Sequence, residues 1–272
     1  MWLGTEVYSG AWGVDYYQED VDKIIKKCYE LGINKIDTAG CYGNNNYVEK
    51  LIGNAIETKR DYFELATKFG QHSNNNIVTN DFRIDSLKAQ LENSLKMLKT
   101  DYIDIYYFHS GEDKDFFNDK LWSLLNDYQK SGVIKKLGLS IKHSLVKNDN
   151  HKQLKSLKSY GISVVQTVLN LFSQESLKYV IPYCLENNIR VLGRMPLAKG
   201  LLSGKYKVGN KFKENDSRSK YQSINESILK NFSKIDVYDS LRFCKKHLDE
   251  IVIGSKNVNQ LTENYCIINN IK

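Results

Sequence analysis

Long apolar runs are missing from this chain. None approaches the roughly 20 consecutive residues of a membrane-spanning helix, so no segment is expected to cross a bilayer. Nor does the N-terminus carry a basic segment, an apolar core and a small-residue cleavage site in that order, and the expectation is a cytoplasmic protein. Cysteine is scarce and without pairing pattern: Cys28, Cys41, Cys184, Cys244 and Cys266 are odd in number and contain no C-x-x-C spacing. They read as reduced thiols, which leaves no disulfide framework and no metal site to expect. The net charge is +7, yet lysines such as Lys23, Lys26 and Lys27 are spread along helical stretches and form no basic block with interleaved aromatics. A nucleic-acid partner is therefore not expected, and an anionic cofactor accounts for part of the basicity more economically. Internal repeats and an obvious association helix are also lacking, which favours a monomer. No Gly-x-Gly-x-x-Gly follows an early strand, so a Rossmann dinucleotide site has little support.

What remains is an ordinary globular composition with 41% hydrophobic residues and two prolines in 272 positions. That length suits one α/β barrel, which typically takes about 250 residues. Short β-branched runs alternate with helical periodicity. Strands are predicted near 1–6, 33–38, 62–68, 102–109, 134–140, 162–168, 189–194 and 250–254, with helices over 18–31, 47–58, 83–98, 116–131, 147–160, 174–187, 226–246 and 257–269. Eight such units predict a (β/α)8 TIM barrel of eight parallel strands, one domain over 1–272. Asp85 and Ser86 are candidate caps of the third helix. Asn44-Asn45-Asn46 and Asn74-Asn75-Asn76 mark polar turns, and a long polar stretch from about 205 to 225 follows the seventh strand.

Three of the apolar strands lead to polar residues: Asp37 and then Tyr42 after the second, Lys68 at the third, His109 at the fourth. A parallel barrel delivers strand ends to one face, so the four are expected to meet. They are the side-chain types needed to protonate a carbonyl while a dinucleotide supplies hydride. Tyr42 is the acid, Lys68 the neighbouring cation that favours its phenolate, Asp37 the partner of Lys68, and His109 the group that orients the substrate oxygen. Taken singly, each has a blander reading: a packing tyrosine, a solvated lysine, a satisfied histidine, a capping aspartate. Their convergence at strand ends favours catalysis.

Read with Gly138-Leu139-Ser140, Gln166, Pro196-Leu197-Ala198-Lys199-Gly200-Leu201-Leu202-Ser203-Gly204-Lys205 and Ile253-Gly254-Ser255-Lys256, these segments resemble the aldo-keto reductase family, in order and over nearly the whole chain. The resemblance implies an NADPH-dependent oxidoreductase reducing a small aldehyde, ketone or keto-sugar, with Asp37, Tyr42, Lys68 and His109 as catalytic tetrad. It implies cofactor contacts from Gly4, Thr5, Ser140, Gln166, Arg194, Leu197, Gly200, Lys205 and Arg218. Gly254, Ser255 and Lys256 are placed near the 2'-phosphate, and Gln260, Glu263 and Asn264 around the adenine. A helix starting near Asn257 would add backbone N–H groups for an anion. Family members usually open with a short hairpin that plugs the barrel floor, and little or none of it is present here.

Three positions depart from the family pattern. Ile141 stands where an asparagine commonly follows Ser140. Arg194 stands where an aromatic stacks on the nicotinamide, a role a planar guanidinium can also fill. Glu6 replaces a tryptophan, and with Trp12 it is a candidate substrate contact favouring polar or amine-bearing substrates. Two other functions stay open at this point. One is a Schiff-base lyase using Lys68 as nucleophile, and the other a non-catalytic NADPH-binding redox sensor.

Overall fold

The computed structural model describes residues 1–74, 77–147 and 151–270. Eight strands close into a parallel barrel: β1 (Trp2–Gly4), β2 (Lys35–Asp37), β3 (Glu64–Phe69), β6 (Ile103–His109), β7 (Ile134–Ser140), β8 (Ile162–Val168), β9 (Arg190–Arg194) and β10 (Glu250–Gly254). The sheet runs β1-β2-β3-β6-β7-β8-β9-β10 and returns to β1. All eight expected strands are found. Two further strands, β4 (Gln71–Asn74) and β5 (Ile77–Asn80), pair as an antiparallel hairpin outside the barrel. The β-branched run Ile77-Val78-Thr79 was its only sequence signal, and Asn75 and Asn76 lie outside the described residues.

Side chains of successive strand residues point to opposite faces, and this parity organises the molecule. Outward residues such as Leu65, Phe108, Val165 and Ile253 pack under the helices, whereas Trp2, Ala66, Ile105, Tyr107, Val164, Leu192 and Val252 fill the barrel. Two residues toward the N-terminal ends, the same parity brings Lys35, Glu64, Arg190 and Glu250 together on the floor. Arg190 Nε donates to Glu250 Oε1 at 2.5 Å and its Nη2 to Glu64 Oε2 at 2.9 Å; Lys35 Nζ and Trp2 Nε1 donate to Glu250 Oε2 at 3.0 and 2.6 Å. This ion network lies across the N-terminal end of the barrel. Two residues the other way, the same parity brings Gly4, Asp37, Lys68, His109, Ser140, Gln166, Arg194 and Gly254 to the opposite end.

The outer layer contains α1 (Gln18–Glu30), α2 (Tyr47–Ile56), α3 (Ile84–Leu98), α4 (Asp113–Phe116), α5 (Asp119–Lys130), α6 (His143–Lys147), α7 (Lys152–Lys155), α8 (Val180–Glu186), α9 (Gln222–Asn231), α10 (Val237–His247) and α11 (Val258–Asn269). Helices α2 and α3 cross at Gly53, where a Cβ would lie 2.2 Å from the Met97 carbonyl oxygen. Several predicted helices prove to be shorter pieces. The 226–246 stretch is interrupted before α10 because Asp236 accepts the Asp239 N–H at 3.0 Å while Asp239 reaches back to the Asp236 N–H, a reciprocal cap. Asn118 likewise starts α5 by accepting the Leu121 N–H at 3.2 Å. The 174–187 stretch is a single 3-10 turn, Glu175–Leu177, followed by α8. Over 147–160 the described residues hold the end of α6, α7 and a 3-10 turn at Lys158–Tyr160, and residues 148–150 lie outside them. The expected caps of α3 are corrected too: Arg83 is the N-cap and no side chain caps it, Asp85 is an acid within the first turn, and Ser86 Oγ accepts from Gln90.

Candidate active site

At the C-terminal end of the barrel lies a cavity of about 480 Å³ lined by Asp37, Tyr42, His109, Gln166 and Arg194 on one side and by Lys199, Lys205, Arg218, Lys256 and Glu263 on the other. Lys68 sits behind this wall, 2% exposed, and its Nζ is held by three oxygens. It donates to Asp37 Oδ1 at 2.8 Å, to the Thr38 carbonyl at 2.6 Å and to the Tyr42 hydroxyl at 3.2 Å. The other Asp37 oxygen accepts from Gln166 Nε2 at 2.7 Å, and Gln166 Oε1 accepts from Ser140 Oγ at 3.3 Å. Thr5, fully buried, donates its hydroxyl to the Asp37 carbonyl at 3.0 Å. A connected polar layer therefore runs Ser140–Gln166–Asp37–Lys68–Tyr42 across four strands and the loop after β2. Each member is fixed by another, which is the condition for a rigid reaction centre.

Burial pushes the Tyr42 hydroxyl well above its ordinary value near 10, Asp37 and Glu6 push the same way, and Arg194 opposes them. Desolvation is the largest effect, and Tyr42 holds its proton at neutral pH. His109 moves in the opposite direction. Burial, then the charges of Lys68 and Arg194, lower it well below 6.5, so the imidazole is neutral. Its Nδ1 lies 3.7 Å from Cys41 Sγ, and its ring meets Tyr42 edge-on with centroids 6.3 Å apart.

The far half of the cavity is built for negative charge. Arg218, 3% exposed, is held by Asp216 and donates to the Lys199 carbonyl at 3.1 Å, with its guanidinium against Phe212 and Tyr206. Trp12 packs beside Lys199 and Arg218 and also lines the cavity. Leu197, Gly200, Gly4, Thr5, Gly254, Gln260 and Asn264 are further lining residues, as is the exposed Glu6 at the mouth. Ser140 and Ser255 are fully buried and do not line it; Ser255 Oγ accepts from Asn264 Nδ2 at 3.0 Å. The N-terminus of α11 offers fewer free donors than its sequence implied, because Asn257 Oδ1 accepts the Gln260 N–H at 2.9 Å and Gln260 Oε1 accepts the Lys256 N–H at 3.0 Å.

The profile of the Aldo/keto reductase family matches residues 1–270. The chain belongs to the aldo-keto reductase family. It is 30% identical to the aldo-keto reductase YhdN of Bacillus subtilis (strain 168) over 88% of this chain and 71% of that protein. It is 29% identical to the aldo-keto reductase yakc [NADP(+)] of Schizosaccharomyces pombe, over 91% and 77%, and 26% identical to the NADH-specific methylglyoxal reductase of Escherichia coli (strain K12), over 75% and 65%. Among solved structures, the glycerol dehydrogenase of Gluconobacter oxydans superposes with a TM-score of 0.78 over 99% of this chain and 90% of that one, at 24% identity. Aldo-keto reductases are nicotinamide-dependent oxidoreductases acting on small carbonyl compounds, and both cofactor forms occur among these relatives. No helix among the described residues is long and apolar enough to cross a membrane.

Sequence reading of this aldo-keto reductase missed part of the cavity wall. Gln71, Ser73 and Val78 enter from the hairpin, and Cys41, Ser110 and Met195 from strand-end loops. Cys41 and Met195 were accessible as direct neighbours of Tyr42 and Arg194. The hairpin residues were not, because four-residue strands carry too little periodicity.

Proposed function

We propose that this aldo-keto reductase reduces the carbonyl of a small aldehyde, ketone or keto-sugar with NADPH, using Tyr42 as proton donor. The observation that carries the reading is the Lys68–Tyr42 hydrogen bond at 3.2 Å, with Asp37 on the same lysine and His109 beside the phenol at the inner end of the cavity. When bound, the cofactor supplies a hydride to the carbonyl carbon. The chain's task is then to deliver one proton to the developing alkoxide. Tyr42 is protonated and hydrogen-bonded to a cationic amine that stabilises the phenolate it leaves. Neutral His109 retains one ring N–H to orient the oxygen. Gln166, which lines the cavity, is the side chain proposed to meet the nicotinamide amide, with Ser140 behind it donating to Gln166 Oε1. Lys205, Arg218 and Lys256 are proposed to meet the phosphates, a donor set that fits a 2'-phosphorylated dinucleotide.

A Schiff-base role for Lys68 finds no support in a nitrogen that is buried and engaged by three acceptors. Titration of the protein with NADPH and NADH tests the cofactor reading directly, with tryptophan fluorescence as readout because Trp12 lines the cavity. NADPH is expected to bind the more tightly. Lys256→Ala is expected to weaken NADPH far more than NADH, and equal losses would remove Lys256 from the phosphate site. Binding without turnover of any carbonyl would leave the redox-sensor alternative.

A further inference from the structure

Arg194 is a charge without a direct ion pair, although Glu6 and Asp37 act on it through space. It projects from the end of β9 into the cavity wall. Among the described residues no carboxylate lies within 4.0 Å of its guanidinium. Its contacts are uncharged and poor: Nη2 reaches the Ile141 carbonyl only at 3.4 Å and Nη1 the weakly accepting Met195 sulfur at 3.3 Å, while Nε is buried with no partner. A guanidinium carries five donors and is costly to desolvate unpaired. Elsewhere the arginines withdrawn from water are paired: the buried Arg60 with Asp104 and Arg218 with Asp216, and the half-buried Arg190 with Glu64 and Glu250. The cofactor's phosphates do not require Arg194, since Lys199, Lys205, Arg218 and Lys256 serve the other half of the cavity. Arg194 instead belongs to the half that holds Tyr42 and His109, and its charge acts on both.

We propose that Arg194 is a substrate-recognition residue, and that the carbonyl compound reduced here carries a carboxylate near its carbonyl group, as 2-oxo acids and short semialdehyde acids do. The inference rests on the reductase reading above and narrows its substrate class. The carboxylate is a spectator. Hydride adds to the carbonyl carbon, the Tyr42 proton goes to the oxygen, the carbonyl becomes a hydroxyl, and the reduced nicotinamide leaves oxidised. Bidentate pairing to a carboxylate uses the in-plane N–H groups of the guanidinium and leaves its faces free to stack on a ring. Glu6, an exposed acid that lines the same cavity, is the opposing charge: it acts on Arg194 through space without an ion pair within 4.0 Å, and it repels an incoming carboxylate.

The test compares kcat/KM for glyoxylate, pyruvate and succinic semialdehyde with that for the neutral glycolaldehyde, methylglyoxal and butanal. It uses the wild type, Arg194→Gln, Arg194→Lys and Glu6→Gln. The wild type is expected to favour the anionic set. Arg194→Gln is expected to lower the anionic-to-neutral ratio by about tenfold or more, Arg194→Lys to restore part of it, and Glu6→Gln to raise it. A second readout is independent of turnover. Oxamate, a non-reducible analogue of pyruvate, is expected to bind the protein–NADPH complex and to lose about tenfold in affinity in Arg194→Gln. A ratio and an oxamate affinity unchanged within about twofold would overturn the proposal, as would a neutral preference in the wild type. A wild type that binds NADPH and NADH yet reduces neither set, or that binds neither cofactor, overturns the reductase reading itself.

Discussion

At the scale of single residues, the site depends on how burial and neighbouring charge divide the work. Tyr42 stays protonated because desolvation, reinforced by Asp37 and Glu6, outweighs the opposing charge of Arg194, and His109 stays neutral because desolvation and two cations act together. A free histidine titrates near 6.5. If His109 is neutral well below that value, kcat/KM is expected to show no acid-side loss centred near pH 6.5, and a sigmoid fall there would contradict it. The same shift has a stability consequence whose sign follows from linkage. The unfolded chain protonates this histidine first as pH falls, so its contribution is fully present above about pH 6.5 and is lost as pH falls from there through the lowered folded value. Replacing His109 by Gln is expected to flatten that part of a stability–pH profile measured by urea unfolding. Asp37, Tyr42, Lys68 and His109 were legible in sequence only as a set, because each lies at or shortly beyond the end of an apolar strand. The direction of the Tyr42 shift was not, since it depends on how much water the fold removes.

At the scale of elements, strand parity explains both what was readable and what was missed. The repeats Glu64-Ala66-Lys68, Arg190-Leu192-Arg194 and Glu250-Val252-Gly254 each place one residue on the floor, one in the barrel and one at the cavity. The upper row led to the candidate site; reading the lower row in the same way would have revealed the floor network. Glu250 sits there at about 2: burial alone would raise it, but hydrogen bonds from Arg190, Trp2 and Lys35 hold it down. Its contribution is therefore present above the ordinary carboxylate value near 4.5 and lost as pH falls toward about 2. Glu250→Gln is expected to cost about 1–3 kcal/mol in chemical denaturation and to leave the cavity intact. Helix packing offers a second test. A methyl at Gly53 meets the Met97 carbonyl, so Gly53→Ala is expected to destabilise by about 1–3 kcal/mol or more, although alanine is the better helix former. Helix breaks such as that before α10 were harder to read, because the Asp236–Asp239 cap interrupts a pattern whose apolar spacing continues across it.

At the scale of the whole molecule, a closed barrel collects residues from eight strands and their loops at one end, and in the aldo-keto reductase family that end is where carbonyl chemistry takes place. Apolar runs at regular intervals made the barrel legible, and motifs at their ends made most of the cavity legible. The β4–β5 hairpin was not, being an insertion outside the repeating unit, yet it contributes Gln71, Ser73 and Val78 to the wall. The cavity divides into a cationic half suited to a phosphorylated dinucleotide and an inner half where Tyr42, His109 and Arg194 meet. The central claim is that Tyr42 gives the proton in a nicotinamide-dependent reduction. The most direct measurement is the loss of NADPH absorbance under saturating carbonyl substrate, with the wild type and Tyr42→Phe compared at matched cofactor occupancy. Turnover falling by about 10²–10⁴-fold in Tyr42→Phe, with NADPH affinity unchanged within a few-fold, is the expected result. Equal turnover in the two proteins would contradict it.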